Sequence, residues 1–141
     1  MAEQMQIGEV ADRTGLSHRT IRYYGEVDLV TPSSRTEGGF RLYTEADIAQ
    51  LELVKKMKPL EYTLEEMREV LGVIAELEED PPLDRREELR TQLASIRAVA
   101  TARRDKLADK FAAAESFISQ LDHHADRLRP PRHSAMPGSR A

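Results

Sequence analysis

The chain has 141 residues and a formal net charge of −4, with 33% of its residues charged and 5% aromatic. That length suits one compact head with an extension, and the long Ala/Glu/Leu/Arg/Lys stretches point to a mainly helical protein. There is no cysteine, which excludes disulfides, thiolate metal sites, iron–sulfur clusters and cysteine nucleophiles together.

Taken in chain order, Ile7 to Thr14 reads as a short helix with Ile7, Val10 and Ala11 on one face. Gly15 breaks it, and Leu16 tucks under the turn. Ser17 is a suitable N-cap for a second helix running to about Tyr24, with Ile21 inward and His18, Arg19 and Arg22 outward. Two short helices joined by a tight glycine turn make a helix-turn-helix, whose second helix normally enters the major groove. From Pro32 to Tyr43 the pattern changes to a hairpin: Glu37-Gly38-Gly39 supplies the positive-φ turn, and Arg41, Leu42 and Tyr43 return with Leu42 inward by alternation. This is a wing attached to the helix-turn-helix.

Thr44 caps a third helix, with Asp47 at N3 and Ile48, Leu51, Val54 and Met57 on its buried stripe; Pro59 ends it. Thr63 and Glu66 form a full capping box for a fourth helix carrying Leu64, Met67, Val70, Leu71 and Ile74. Between Pro81-Pro82 and Pro130-Pro131 the segment from Asp84 to Leu128 holds neither Pro nor Gly. As one helix it would run roughly 65 Å, too long to bury itself against so small a head. Leu89, Leu93, Ile96, Ala100, Leu107, Ala114, Phe117, Leu121 and Leu128 follow alternating steps of three and four, with gaps, while Arg103 and Lys110 interrupt the seam. Val99, Phe111 and Ile118 form a second apolar line beside it. The expectation is a dimeric coiled coil. The domains read as a winged head over residues 1–80, a dimerisation helix over 84–128 and a disordered Pro/Arg/Ser-rich tail over 129–141.

Charge distribution says more than net charge. The segment from Leu16 to Tyr24 carries Arg19 and Arg22 and no acid, whereas the acids gather later, from Glu61 to Asp84. Arg22, Tyr23, Tyr24, Arg35, Gly39, Arg41 and Tyr43 crowd into one short run. Arginine brings a permanent charge and a planar fork of donors, and tyrosine a hydroxyl able to reach a phosphate oxygen. This layout is that of a grip on a DNA backbone, salt-sensitive in affinity. The residues alone leave open whether Tyr23 or Tyr24 offers its hydroxyl, and whether His18 meets a base or only solvent. They also leave the arginines of the tail, Arg129, Arg132 and Arg140, either touching DNA nonspecifically or idle.

The runs IGEVADRTGLSHRTIRYY, PSSRTEGGFRLYTEADI and TLEEMREVL, in that order from Gln6 to about Ile74, resemble the MerR family of bacterial transcription regulators. The resemblance implies a homodimer held by an antiparallel coiled coil of the C-terminal helices. Its two winged heads then bind a near-palindromic promoter operator, and the dimer bends and untwists an overlong promoter spacer so that RNA polymerase reads both promoter elements. It places His18, Arg19 and Thr20 toward bases, Arg22, Tyr23, Tyr24, Arg41 and Tyr43 on the backbone, and Arg35 and Gly39 on the wing. The chain departs from the family pattern in three places. Gly25 stands where an acid usually follows the tyrosine pair, Leu60-Glu61 replaces the usual Leu-Gly with Pro59 added, and the cysteines of the metal and redox branches are missing.

Other classes read less well. His123 and Asp126 share a helix face, but two ligands from one helix make an incomplete metal site, so no metal and no cofactor is expected. Met67, Phe111 and Phe117 read as core or seam before they read as an effector pocket. No nucleophile–base pair or phosphate-cradling loop points to an enzyme. The alternatives to a regulator are an architectural DNA-bending protein of excisionase type and a drug-sequestering regulator; the effector is unknown. No apolar run reaches the length of a membrane span, and the opening residues lack the pattern of a secretion signal, so a cytoplasmic location is expected.

Overall fold

A computed structural model describes residues 4–131. The elements run β1 (Gln4–Gln6), α1 (Ile7–Thr14), α2 (His18–Glu26), β2 (Ser34–Arg35), β3 (Arg41–Thr44), α3 (Glu45–Met57), a 3-10 turn (Lys58–Leu60), α4 (Leu64–Glu78) and α5 (Leu83–Arg127). The expected tail lies, past Pro131, outside the described residues. Chain contacts divide the molecule into two compact units, Met1–Thr101 and Ala102–Ala141.

The first unit is a winged helix-turn-helix. Gly15 ends α1 in the left-handed region, φ 76°, and its N–H closes on the Ala11 carbonyl. Ser17 then caps α2, its Oγ accepting from the Thr20 N–H at 3.0 Å. The wing is three-stranded, in the order β1-β3-β2 and antiparallel throughout. The residues before α1 thus supply a strand, pairing Met5 with Tyr43. The sequence pattern did not announce it, because three residues are too few to show a period.

That strand overturns one expectation. Tyr43, not Leu42, turns inward: Tyr43 is fully buried beside the buried Met5, whereas Leu42 is half-exposed. The turn also differs from the reading. Only Gly39 has a positive φ, 86°; Gly38 lies beneath the Phe40 ring, where a Cβ would come within 3.5 Å of it.

Both expected capping boxes form, Thr44 with Asp47 and Thr63 with Glu66. Asp47 does more than close its box. Its Oδ2 also accepts from the Ser33 N–H and hydroxyl, at 3.2 and 2.7 Å, so one buried carboxylate ties the wing's entry to the start of α3. The core gathers Val10, Ile21, Tyr24, Leu51, Val54 and Met67 with their neighbours. Ile48 and Met57 on α3 and Val70 and Leu71 on α4 are buried as their spacing requires.

The long helix corrects two seam assignments. Leu89 is completely buried within the first unit, and Ile96 packs against the head core. Their three-four spacing serves the head, and periodicity alone cannot say which surface a stripe meets. Leu93, Leu107, Phe117 and Leu121 are exposed in the isolated chain, as are Val99, Phe111 and Ile118 of the second line. Ala100 is half-buried and Ala114 exposed.

Candidate nucleic-acid interface

The site is built on α2 and the wing. Ser17 holds the first turn of α2 by its bonds to the Thr20 N–H and, at 2.9 Å, the Thr20 hydroxyl. That turn contains no acid, so the partial positive charge of the helix start is undiminished. His18 and Arg19 stand exposed there and Thr20 half-exposed. One turn further on, Arg22 and Tyr23 project outward while Ile21 and Tyr24 anchor the helix in the core.

The wing is a fixed loop. The Thr36 N–H donates to the Phe40 carbonyl at 2.8 Å, the Gly39 N–H to the Thr36 carbonyl at 2.9 Å, and the Phe40 N–H to the Thr36 hydroxyl at 3.0 Å. Arg35 spans the turn, Nη1 donating to the Gly39 carbonyl at 3.2 Å. Arg41 sits half-exposed on the returning strand.

These two elements converge. Burial holds the Tyr43 phenol's pKa above the ordinary 10.0, and the Asp47 charge adds to it, against the opposing charges of Arg41, Arg35 and Arg22. Arginines from α2 and from both wing strands are therefore near enough for their charges to be felt at one phenol. Among the described residues, none of Arg19, Arg22 and Arg41 meets a carboxylate at ion-pair distance. Arg13 is a contrasting case: its two terminal guanidinium nitrogens donate to Glu45, at 2.5 and 2.8 Å.

Two predicted contacts do not stand on this surface. Tyr24 is 3% exposed and Tyr43 is completely buried, its hydroxyl without a hydrogen-bond partner among the described residues. Neither presents a free phenol to a phosphate. Tyr23 is 45% exposed, its ring 5.7 Å from that of Tyr24. Phe40, absent from the predicted set, is 64% exposed at the wing tip; its position between the turn glycine and Arg41 was the available signal.

Away from this surface, His123 and His124 lie edge to face with ring centres 5.9 Å apart on α5. Among the described residues no three His, Cys, Asp or Glu side chains gather as metal ligands. Met67 belongs to the head core, whereas Phe111 and Phe117 are exposed on α5. No helix among the described residues is long and apolar enough to cross a membrane.

Residues 5–72 match the model of the MerR HTH family regulatory proteins. The YfmP HTH-type transcriptional regulator of Bacillus subtilis is 34% identical over 128 residues, covering 84% of this chain and 89% of that protein. The chain belongs to the MerR family. MerR proteins are DNA-binding transcriptional regulators rather than enzymes.

Other relatives match more locally. The mercuric resistance operon regulatory protein of Bacillus cereus is 39% identical over 71 residues, which is 50% of this chain and 54% of that protein. The chain thus spans about half the length of several curated MerR relatives that it matches. Among solved structures, a MerR-family transcriptional regulator from Bacillus cereus aligns with a TM-score of 0.52 at 25% identity, covering 95% of this chain and 90% of that one. HiNmlR, a MerR regulator lacking the sensor domain and bound to promoter DNA, shares the fold with a TM-score of 0.65 at 18% identity, covering 89% and 95%.

Proposed function

We propose that this MerR protein is a homodimeric transcriptional regulator that binds a near-palindromic promoter operator and distorts the spacer between the promoter elements for RNA polymerase. The observation that carries the reading is the set of outward, carboxylate-free arginines on α2 and the wing, Arg19, Arg22 and Arg41, on a fold whose second helix suits a major groove. His18, Arg19 and Thr20 face bases. Arg22, Tyr23, Arg35 and Arg41 hold phosphates on either side, with the Gly39 turn setting the wing's height. The exposed residues of α5, Leu93, Leu107, Phe117 and Leu121 with Ala114 and the half-buried Ala100, pair with a second copy in an antiparallel coiled coil that fixes the spacing of the two heads. Signals do not enter through cysteine thiolates, since the chain has none.

Hydroxyl-radical footprinting of DNA upstream of the protein's own coding region tests this. Two protected half-sites inside a long promoter spacer, with enhanced cleavage between them, are expected. Arg22→Ala and Arg41→Ala should each weaken binding about tenfold and lower the salt slope by about one. Parental binding by both variants across salt would reject the assigned surface. Scattered, recombination-linked sites would favour an architectural role instead.

A further inference from the structure

Within the first unit, α4 and the opening half of α5 border an open cleft of about 110 Å³ with an apolar floor and an acidic rim. Val70, Ile96 and Val99 line the floor, Tyr62 forms a wall, and Glu66 and Glu69 stand at the edge. The same two glutamates border a shallow depression on the outer side of α4, together with Glu65 and Arg68. Arg68 is the only base on α4 and is already committed, to Glu65 and to the Val27 carbonyl, both at 2.6 Å. Among the described residues no cation pairs with Glu69. An acid-rimmed apolar cleft of this kind fits an arginine-bearing peptide: the guanidinium meets the carboxylates, the methylene stem lies on Val and Ile, and the phenol face of Tyr62 favours a cation.

This chain carries such a peptide. After Asp126 it has no acid, and Arg129, Arg132, His133 and Arg140 alternate with prolines and Met136. We propose that the C-terminal segment Arg129–Ala141 of one copy docks in this cleft of its partner. The proposal rests on the antiparallel dimer proposed above. In such a pair the end of one α5 lies against the start of the other. From Leu83 to Ile96 is about 20 Å of helix, which about six extended residues beyond Arg127 span. The tail must fold back along the partner's helix to do so, which brings His133 and the residues after it within reach of the cleft. Docked there, the tail neutralises the acidic face of the partner's head and links the two heads to the dimer helix.

The absence of native cysteine makes a clean test. Ser95 lines the cleft and Ser134 follows His133, so Ser95→Cys with Ser134→Cys preserves every charge. Under mild oxidation at about 50 mM salt the double variant should yield a disulfide-linked dimer at least tenfold faster than either single variant. Adding Glu69→Lys, or raising salt to about 0.5 M, should slow the reaction several-fold. Equal rates in the single variants, a bond closing within one chain, or a dimer by sedimentation with no crosslink would overturn the docking while leaving the dimer intact. A monomer by sedimentation would overturn the dimer reading and the docking together. No crosslink, with tetraphenylphosphonium raising the melting temperature in a Glu69-dependent way, would assign the cleft to a small organic cation instead.

Discussion

Tyr23 and Tyr24 are adjacent in sequence and opposite in environment. A helix turns about 100° per residue, so Tyr24 shares the face of Ile21, three residues earlier, and goes into the core, while Tyr23 falls beside Arg22 on the outside. The sequence left the choice between the two phenols open, and the burial of Tyr24 decides it for Tyr23. Tyr43 was not legible either. Its direction depends on pairing with β1, and alternation within Arg41-Leu42-Tyr43 gave the opposite answer until Met5 was placed opposite it. Its hydroxyl is buried with no hydrogen-bond partner among the described residues, a defect that costs about 1–3 kcal/mol. Tyr43→Phe should therefore raise stability by about 1 kcal/mol in urea denaturation and leave operator affinity unchanged. Tyr23→Phe should do the reverse, weakening binding with no change in denaturation midpoint. A Tyr43→Phe variant that loses DNA binding would mean that this phenol swings outward on the operator.

At the level of elements, the helix starts were legible because caps are local: Ser17, Thr44 and Thr63 each bond a backbone N–H three residues on. The joints were less so. Glu61, where the family usually has glycine, adopts the left-handed conformation at φ 61°, a conformation costing an ordinary residue about 1–2 kcal/mol. Asp80, before the Pro81-Pro82 break, does the same at φ 52°. Across that second joint Arg85 donates to both Glu76 oxygens, at 2.6 and 2.9 Å, and to Glu88 at 2.7 Å, while Arg86 reaches Asp80 at 2.5 Å. No sequence period links residues nine apart across a turn, so this clamp was invisible beforehand. Hydrogen bonding from Arg85 holds the Glu76 carboxyl below its ordinary 4.5. A depressed carboxylate contributes stability that is present above its unfolded pKa and lost as pH falls through the folded one. The clamp should hold at neutral pH and release below the ordinary carboxylate range. Glu76→Gln should lower the melting temperature at pH 7 and flatten its fall between about pH 5 and 3; a parental acid limb in thermal scans would show that Glu76 contributes nothing there.

At the scale of the whole molecule, one helix serves two purposes, and its residues divide by burial rather than by period. Leu89 belongs to the head and is wholly enclosed in the single chain; Phe117, on the same three-four series, is 60% exposed in that chain. The series predicted both as seam, since periodicity identifies a stripe but not its partner. Truncating Leu89 removes packing that exists without a second copy, so Leu89→Ala should cost the head about 2–5 kcal/mol at every protein concentration. Truncating Phe117 removes area that only a second copy can cover. Phe117→Ala should therefore show its loss as a concentration-dependent melting temperature and a weaker self-association by sedimentation equilibrium, with the head's own unfolding unchanged. Operator binding should fall in both variants for different reasons, through an unfolded reading head in the first and through two heads no longer held at a fixed spacing in the second. High protein concentration should therefore restore DNA binding to Phe117→Ala alone. If it restores neither, or if Phe117→Ala associates like the parent, the exposed stripe of α5 is not the surface that pairs the heads.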